Sequence, residues 1–199
     1  MTLWFATGNI HKKLELEAVL AGAGAAFRLS VPAEAGMPFD PLETGKSFLE
    51  NALIKAGELY RLVAPDPVIA DDSGLCVDVL DGRPGVYSAR YGAGGHEKLD
   101  PAERNALLLR EVGDAENRKA RFVCAMVLLF SPDRFYAVQE TLEGEVLGEA
   151  RGAGGFGYDP ILYLPGLGRA AAELSVQEKN RISHRAKAGR ALARFLQGL

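Results

Sequence analysis

The alternation of apolar and polar residues predicts strands and helices that follow one another along most of the chain. A short apolar run at residues 3–6 predicts a first strand. A helix follows it, with one apolar face made of Leu16, Val19 and Leu20. Residues 27–31 predict a weaker second strand.

The segment after Ser47 predicts a long helix. Ser47 and Glu50 have the spacing of a capping box, in which each side chain bonds the backbone N–H of the other residue. The helix runs to about residue 63, and its apolar stripe predicts the buried side: Phe48, Ala52, Ala56, Leu59 and Val63. Residues 101–112 predict another helix.

The second half of the chain predicts a hairpin and a helical end. Strands at residues 119–130 and 135–144 flank a Ser-Pro-Asp-Arg turn, and residues 161–164 form a short strand. The tail is helical from Ser175, with a break near Ser183. Since no linker or repeat divides the chain, we expect one domain, 1–199, of the α/β class, with a mixed sheet flanked by helices.

One apolar run ends abruptly in charged and polar residues. Residues 68–70 are followed at once by Asp71, Asp72, Ser73 and Gly74. Ligands of open α/β sheets bind beyond the carboxyl ends of strands, where we expect the two carboxylates. Mg²⁺ binds carboxylate oxygens and usually keeps substrate phosphates among its ligands. The segment therefore predicts either a metal site for phosphate chemistry or a solvated turn closed by an Asx hydrogen bond, and alone it does not decide between them.

Length and charge limit the kinds of partner. A chain of 199 residues with 48% hydrophobic content can bury one substantial core. The net charge of -3 leaves no overall basic surface, so we expect no binding of nucleic-acid polymers, and any anion site is local. Cys76 and Cys124 lie in apolar stretches without CxxC spacing, which predicts buried free thiols in a reducing compartment.

The sequence also predicts a location. The first residues contain no basic segment and no long apolar segment of the secretory kind. The longest apolar run, residues 122–130, is far too short to cross a bilayer. We therefore expect a soluble cytoplasmic protein with no membrane partner.

Two apparent phosphate motifs fail in their context. Gly45, Lys46 and Ser47 resemble the end of a P-loop, but Asp40 occupies the position of the first glycine, and no buried strand precedes it. Residues 152–157 match GxGxxG, yet they lead into Tyr-Asp-Pro instead of a helix. The sequence therefore favours neither a P-loop ATPase nor a dinucleotide-binding fold.

The loop after the first strand carries groups that suit an anion. Gly8 lets a ligand approach the backbone, and Thr7 and Asn9 offer hydrogen bonds. Lys12 lies in the first helical turn, where the helix dipole already favours negative charge. The alternative is an ordinary N-cap by Thr7 or Asn9 with solvated lysines.

A second polar group lies on the helix after Ser47. Asn51 and Lys55 are four residues apart and share one face. Glu43 precedes the same helix and can reach a metal held by Asp72. The alternative is a solvated helix face.

Five segments, in one order along nearly the whole chain, carry a family resemblance. They are TGNIHK from Thr7, ETGKSFLENALIKA from Glu43, ADDSGLCVDVLDGRPGVYSARYG from Ala70, GFGYDPIL from Gly155 and ELSVQEKNRISHR from Glu173. The chain resembles the inosine/xanthosine triphosphate pyrophosphatase family. The resemblance implies a long mixed sheet, two lobes with a central active-site cleft, and a homodimer. It further implies Mg²⁺-dependent hydrolysis of ITP, dITP and XTP to the nucleoside monophosphate and pyrophosphate.

The resemblance also implies roles for single residues. Asp72 is the proton acceptor and a magnesium ligand, Glu43 is the second metal contact, and Asp71 supports the metal site. The residues implied to bind the triphosphate and the nucleoside are Thr7, Gly8, Asn9, Lys12, Asn51, Lys55, Ser73, Phe156, Gly157, Tyr158, Asp159, Lys179, His184 and Arg185. Tyr158 stands where some relatives carry Trp, a departure that concerns base preference and not the reaction.

Elementary chemistry agrees with these roles. An aspartate with an ordinary pKa of ~3.9 is ionised at neutral pH, so Asp72 can bind a metal and accept a proton from water. Phe156 can stack on a purine, while His184 and Arg185 can donate hydrogen bonds to a 6-oxo group, which adenine lacks. Two other functions stay open: a nucleotide-binding module without turnover, and a pyrophosphatase of related fold that acts on pyrimidine nucleotides.

Overall fold

The strands form one mixed sheet. The computed structural model describes residues 2–22, 28–94 and 99–198. Its strands are β1 (Thr2–Phe5), β2 (Arg28–Ser30), β3 (Val68–Val77), β4 (Lys119–Ser131), β5 (Arg134–Val146), β6 (Leu162–Leu164) and β7 (Arg169–Ala170). Within the described residues the sheet has seven strands in the order β2-β1-β3-β4-β5-β6-β7. β1 pairs in parallel with β2 and β3, whereas β6 pairs antiparallel with β5 and β7, which confirms the predicted mixed sheet.

Five α-helices lie along the described chain. They are α1 (Ile10–Gly22), α2 (Phe48–Val63), α3 (Pro101–Val112), α4 (Val176–Ile182) and α5 (His184–Gln197). α3 has the predicted bounds, and it begins with a capping box between Asp100 and Glu103. The predicted break near Ser183 separates α4 from α5, because the Ser183 hydroxyl accepts the Ala186 N–H at 3.1 Å and caps α5.

The start of α2 differs in one detail from the prediction. The Ser47 hydroxyl accepts the Glu50 N–H at 3.2 Å, as a capping box requires. The Glu50 carboxylate, however, accepts the Lys46 N–H at 2.6 Å. Ser47 and Glu50 therefore form half of the predicted box. The predicted apolar stripe is buried except for Val63, which is half-buried.

The prediction for β3 is wrong at its carboxyl end. The strand does not stop at Asp71 but continues through both carboxylates to Val77. It can continue because Lys12 and Arg185 neutralise Asp71, and Lys55 neutralises Asp72. The weak strand predicted at residues 27–31 is β2, and residue 27 lies outside the described residues. The two-residue strand β7 is too short to leave a periodic signal.

Contacts divide the chain into two compact units. Unit 1 comprises Met1–Asp72, Cys124–Glu140 and Ser183–Leu199, and unit 2 comprises Ser73–Val123 and Thr141–Ile182. The core of unit 1 has one cluster that joins strands to α1 and α5, and another that joins strands to α2. A Cβ at Gly189 of α5 would lie only 3.0 Å from Val19 of α1, so glycine permits this close helix contact.

The core of unit 2 is one apolar cluster around α3 and strand residues such as Leu75 and Leu162.

Both cysteines are free thiols, of which Cys124 is buried and Cys76 is half-buried. Of the helices in the described ranges, none combines the length and the apolar character that a membrane span requires. The single domain 1–199 stays a prediction.

Candidate active site

Asp71 and Asp72 lie inside β3 and face opposite sides of the sheet. Ile69 belongs to the core cluster with α1 and α5, whereas Ala70 belongs to the cluster with α2. Because side chains alternate along a strand, Asp71 faces α1 and α5, and Asp72 faces α2. The two residues are only 1% and 7% exposed. The solvated turn, the alternative left open by the sequence, is therefore excluded.

Asp71 is the counterion of the buried Arg185 and of the half-buried Lys12. One of its oxygens accepts a hydrogen bond from Lys12 Nζ at 3.0 Å, and the other accepts one from Arg185 Nε at 3.1 Å. The Arg185 guanidinium is 1% exposed and also donates to Glu15. Burial raises the pKa of Asp71, but the attraction of Lys12 and Arg185 outweighs burial and holds the pKa well below its usual range. Asp71 is therefore ionised.

The role of Asp71 as support for a metal site stays a prediction, and its observed contacts are with cations. Both of its oxygens are engaged by cationic donors on the α1 and α5 side of the sheet, while Asp72 faces α2. The negative charge of Asp71 fixes the positions of Lys12 and Arg185. Arg185 is held by Asp71 and Glu15, and its contact with a base stays a prediction.

Asp72 is held by two side chains of α2. Asn51 Nδ2 donates to one oxygen at 3.1 Å, and Lys55 Nζ donates to the other at 3.2 Å. Lys55 also donates to Glu43 at 2.6 Å, so one ammonium bridges the two carboxylates. Asn51 and Lys55 are buried, and the alternative of a solvated helix face is wrong. The Asn51 carbonyl oxygen accepts the Gly45 N–H at 2.8 Å, which fixes the amide orientation.

The two charged groups of this cluster titrate differently from exposed ones. Burial raises the pKa of Asp72, and the attraction of Lys55 and Lys12 only partly opposes it. Burial lowers the pKa of Lys55, but the carboxylates of Asp72, Asp71 and Glu43 outweigh burial and raise it. Burial thus favours the neutral form of Asp72, and Lys55 remains a cation.

Asp72 and Glu43 are the carboxylates that suit a metal ion. Within the described ranges, no group of three or more His, Cys, Asp or Glu side chains forms a metal site by itself. Mg²⁺ commonly uses one or two protein carboxylates and takes its other ligands from water and substrate phosphates. Two carboxylates that reach the same ammonium therefore fit a hard cation that shares its ligands with a phosphate.

The loop before α1 supplies an ordinary cap, and the first turn of α1 carries a half-buried lysine. Thr7 Oγ1 accepts the Asn9 N–H at 3.1 Å, and Asn9 Oδ1 accepts the N–H groups of His11 and Lys12 at 2.9 and 3.4 Å. Asn9 is therefore the N-cap, as the structural alternative predicted. Lys12 is not solvated, however: burial lowers its pKa, and only the attraction of Asp71 and Asp72 opposes burial. Gly8 is exposed, so the backbone here is open to a ligand.

In unit 2, Phe156 and Lys179 are held together by a buried carboxylate. One Asp159 oxygen accepts the Phe156 N–H at 2.7 Å and Lys179 Nζ at 2.6 Å. The Lys179 ammonium lies 4.6 Å from the centroid of the Phe156 ring. Gly155 has φ +71°, and a Cβ there would strike the Asp159 carboxylate, so only glycine fits. An aromatic ring and a cation thus have fixed relative positions.

Tyr158 is part of the core of unit 2. It is 4% exposed, and its hydroxyl donates to the Ser88 carbonyl oxygen at 2.8 Å. The Arg104 guanidinium lies 5.5 Å from its ring centroid. Burial raises the pKa of the phenol well above its usual range. The ring and the hydroxyl of Tyr158 are thus used within unit 2. Its binding of substrate stays a prediction.

The predicted site residues fall into two groups along the chain. Unit 1 holds Thr7, Gly8, Asn9, Lys12, Glu43, Asn51, Lys55, Asp71, Asp72, His184 and Arg185; unit 2 holds Ser73, Phe156, Gly157, Tyr158, Asp159 and Lys179. Ser73 is half-buried in β3, and His184 is buried as the first residue of α5. In the first group, contacts gather Lys12, Glu43, Asn51, Lys55 and Arg185 around Asp71 and Asp72. In the second group, Phe156 and Lys179 contact Asp159.

Sequence reasoning missed four residues that hold these groups. They are Glu15, Ser88, Arg104 and Asn105. Asn105 had a readable signal, because it lies on the buried stripe of α3 with Leu108 and Val112, where an apolar residue is expected. The other three act through partners far away in the sequence and leave no local signal.

Known proteins are similar to this chain over its whole length. The dITP/XTP pyrophosphatase of Treponema denticola is 45% identical over 198 residues, which cover 100% of both chains. The dITP/XTP pyrophosphatase of Streptomyces coelicolor is 46% identical and covers 99% of this chain and 98% of its own. The solved structure of a HAM1 protein from Coxiella burnetii is 36% identical, covers 100% of both chains and has a TM-score of 0.90. The model of the Ham1 family matches residues 3–195, so the chain belongs to the Ham1 family.

Proposed function

We propose that the protein hydrolyses the nonstandard purine nucleoside triphosphates ITP, dITP and XTP to the nucleoside monophosphate and pyrophosphate, with Mg²⁺. The observation that carries the proposal is the buried Asp72 carboxylate, oriented by Asn51 and Lys55, with Glu43 on the same ammonium. The name of the curated relatives, dITP/XTP pyrophosphatase, supports the substrate class.

In this proposal Asp72 is the general base. Its carboxylate accepts a proton from water, and the resulting hydroxide oxygen bonds to the α-phosphorus. The bond between the α-phosphorus and the oxygen that bridges it to the β-phosphate breaks. The electron pair of the broken bond leaves on pyrophosphate. Asn51 and Lys55 hold the carboxylate in one orientation, so that its oxygen stays directed toward the reacting water.

Positive charge beside Asp72 suits a triphosphate. Lys55 on Asp72 and the half-buried Lys12 on the neighbouring Asp71 attract phosphate oxygens more strongly than fully solvated lysines do. When bound, a magnesium ion held by Asp72 and Glu43 supplies the charge that stabilises the leaving pyrophosphate. The exposed backbone at Gly8 and the start of α1 suit a further phosphate group.

The groups proposed for the base discriminate by hydrogen bonding. We assign stacking to Phe156, with the Lys179 cation fixed beside its ring. His184 and Arg185 are assigned to the 6-oxo group, because donors that face the 6-amino group of adenine lose their acceptor. Residues 156–159 are called the base segment below.

One assay tests the reaction. Pyrophosphate release is measured from ITP, XTP, dTTP, ATP and GTP, each with and without Mg²⁺. We expect rapid metal-dependent release from ITP and XTP and slow release from the other three. Binding of ITP without release would leave a nucleotide-binding module, and a preference for dTTP would indicate a pyrimidine pyrophosphatase.

The variant Asp72→Asn tests the assigned base. We expect the rate of pyrophosphate release to fall by about 10²–10⁴, the usual contribution of a general base. Binding of ITP should persist, because the surrounding cations remain. Asp133→Asn is the matched control, since Asp133 is exposed in the turn between β4 and β5. A folded Asp72→Asn enzyme with near-normal turnover would remove Asp72 from this role.

A homodimer and a cytoplasmic location belong to the same proposal. Both are expectations from the sequence, and the homodimer comes through the family resemblance. Light scattering on the purified protein measures its mass directly, and a monomer at working concentration would refute the dimer. Cell fractionation tests the location.

A further inference from the structure

We propose that Asn105 and Arg104 of α3 are positioning residues for the base segment, and that Asn105 sets the affinity for the nucleoside. The inference rests on the proposed function, which assigns the base to Phe156. Neither residue needs to touch the substrate. Each acts through a contact with the residues that follow Phe156.

Asn105 fixes the backbone beside the ring. It is 5% exposed, and its Nδ2 donates a hydrogen bond to the Gly157 carbonyl oxygen at 3.1 Å. Gly157 follows Phe156 directly and has φ +63°, a conformation that residues with a Cβ rarely adopt. The Asn105 amide therefore stabilises an uncommon backbone conformation at the residue next to the proposed stacking ring.

Stability alone does not account for an asparagine at this position. Its Oδ1 is buried and has no hydrogen-bond partner among the described residues. An unpaired buried acceptor is costly, whereas an apolar side chain of similar size would continue the buried stripe that Leu108 and Val112 form. The contact of Nδ2 with Gly157 is thus the gain that this side chain offers.

Arg104 makes the neighbouring contact. Its guanidinium lies 5.5 Å from the ring centroid of Tyr158 and donates to the Ala89 carbonyl oxygen at 2.8 Å. The Tyr158 hydroxyl in turn donates to the Ser88 carbonyl oxygen. Two consecutive residues of α3 therefore hold two consecutive residues of the base segment. The conformation of the segment is set from α3.

The test compares the effect of each variant on binding of the nucleoside with its effect on binding of the phosphates. Asn105→Leu keeps the branched shape of the side chain and removes the donor. Asn105→Asp also keeps the shape, and its carboxylate cannot donate to a carbonyl. If one variant fails to fold, the other serves. Val112→Ala is the matched control, because Val112 is buried in the same helix. For each protein we would measure the affinity for IMP by calorimetry, inhibition by pyrophosphate, and kcat and KM for ITP.

We expect Asn105→Leu to weaken IMP binding and to raise KM for ITP by about tenfold, the effect of one hydrogen bond to a buried group. The kcat and the inhibition by pyrophosphate should stay within about twofold of wild type, as should all parameters of Val112→Ala. A purely structural role would weaken IMP and pyrophosphate together, and that result overturns the inference.

The failure of the inference differs from the failure of the proposed function. Unchanged IMP affinity in the variants of an active enzyme removes only the role of Asn105. A wild-type protein that binds pyrophosphate but not IMP removes the base-binding role of the segment, and the inference with it.

Discussion

The adjacent carboxylates Asp71 and Asp72 should respond oppositely to the same substitution. We expect Asp71→Asn to destabilise the fold strongly and Asp72→Asn to leave its stability nearly unchanged. The chemical change is identical in the two variants, and the positions are neighbours in β3. Each variant is therefore the control for the other, and the difference must come from the partners on the two sides of the sheet.

The magnitudes follow from burial and from the partners that remain. The Asp71 and Arg185 side chains are 0% and 1% exposed, and removal of one member of such a buried pair costs about 3–5 kcal/mol. Lys12 also loses its ion pair with Asp71. In Asp72→Asn, by contrast, Lys55 keeps Glu43, and the substitution removes a charge that burial disfavours. We expect a change within about 1 kcal/mol there.

Urea unfolding measures both values. The single tryptophan, Trp4, lies in β1 of unit 1 and reports on the part of the chain that contains both carboxylates. The experiment is done in EDTA, so that no divalent metal contributes to the free energy of unfolding. Equal losses in the two variants, or a larger loss for Asp72→Asn, would refute the assignment of Asp71 as the structural counterion.

Three further predictions concern other contacts. Glu15→Gln should lower the free energy of unfolding by about 1–3 kcal/mol, because it removes a carboxylate from buried Arg185. The control Glu17→Gln, in a more exposed ion pair, should lower it by less than about 1 kcal/mol. Equal losses in the two variants would contradict this prediction. Arg118→Met should cost roughly 2–4 kcal/mol in thermal unfolding, because the guanidinium donates to three carbonyl oxygens at 2.7 Å each, while the exposed neighbour Lys119 tolerates the same change. Burial and Glu111 raise the pKa of Tyr91 to about 12, so the folded state keeps the phenol proton at a higher pH than the unfolded chain does. The contribution of this phenol to stability is therefore lost as the pH rises from about 10 through 12. A Tyr91→Phe difference titration by ultraviolet absorbance checks this, and an ordinary phenol titration would refute it.

Local contacts explain what the sequence could predict about the site. Asn51 and Lys55 share one face of a helix whose start was readable at Ser47, and Glu43 lies just before it. Their meeting with Asp72 needs only the packing of α2 on β3. The capping function of Asn9 was likewise open to prediction, because a cap bonds residues two and three positions away.

Contacts between residues far apart in the sequence explain what the sequence could not predict about the site. Arg185 reaches Asp71 across 114 positions, and its place depends on the close contact of α5 with α1 that Gly189 permits. Nothing near Asp71 in the sequence indicates this partner. The burial of Lys12 has the same origin, since a lysine in a first helical turn is ordinarily solvated and only the carboxylate opposite holds it inside.

The alternation of side chains along a strand explains why two carboxylates can be neighbours in a buried segment. Had the strand ended at Asp71, as the sequence predicted, both side chains would share one environment and compete for the same cations. Within a continuing strand they point to opposite faces, where Lys12 and Arg185 neutralise one, and Lys55 with the Asn51 amide holds the other. The pKa values of the two carboxylates therefore move in opposite directions. The cations fix Asp71 as an anion, and its neighbour Asp72, whose pKa is raised, is the residue that we propose as the base.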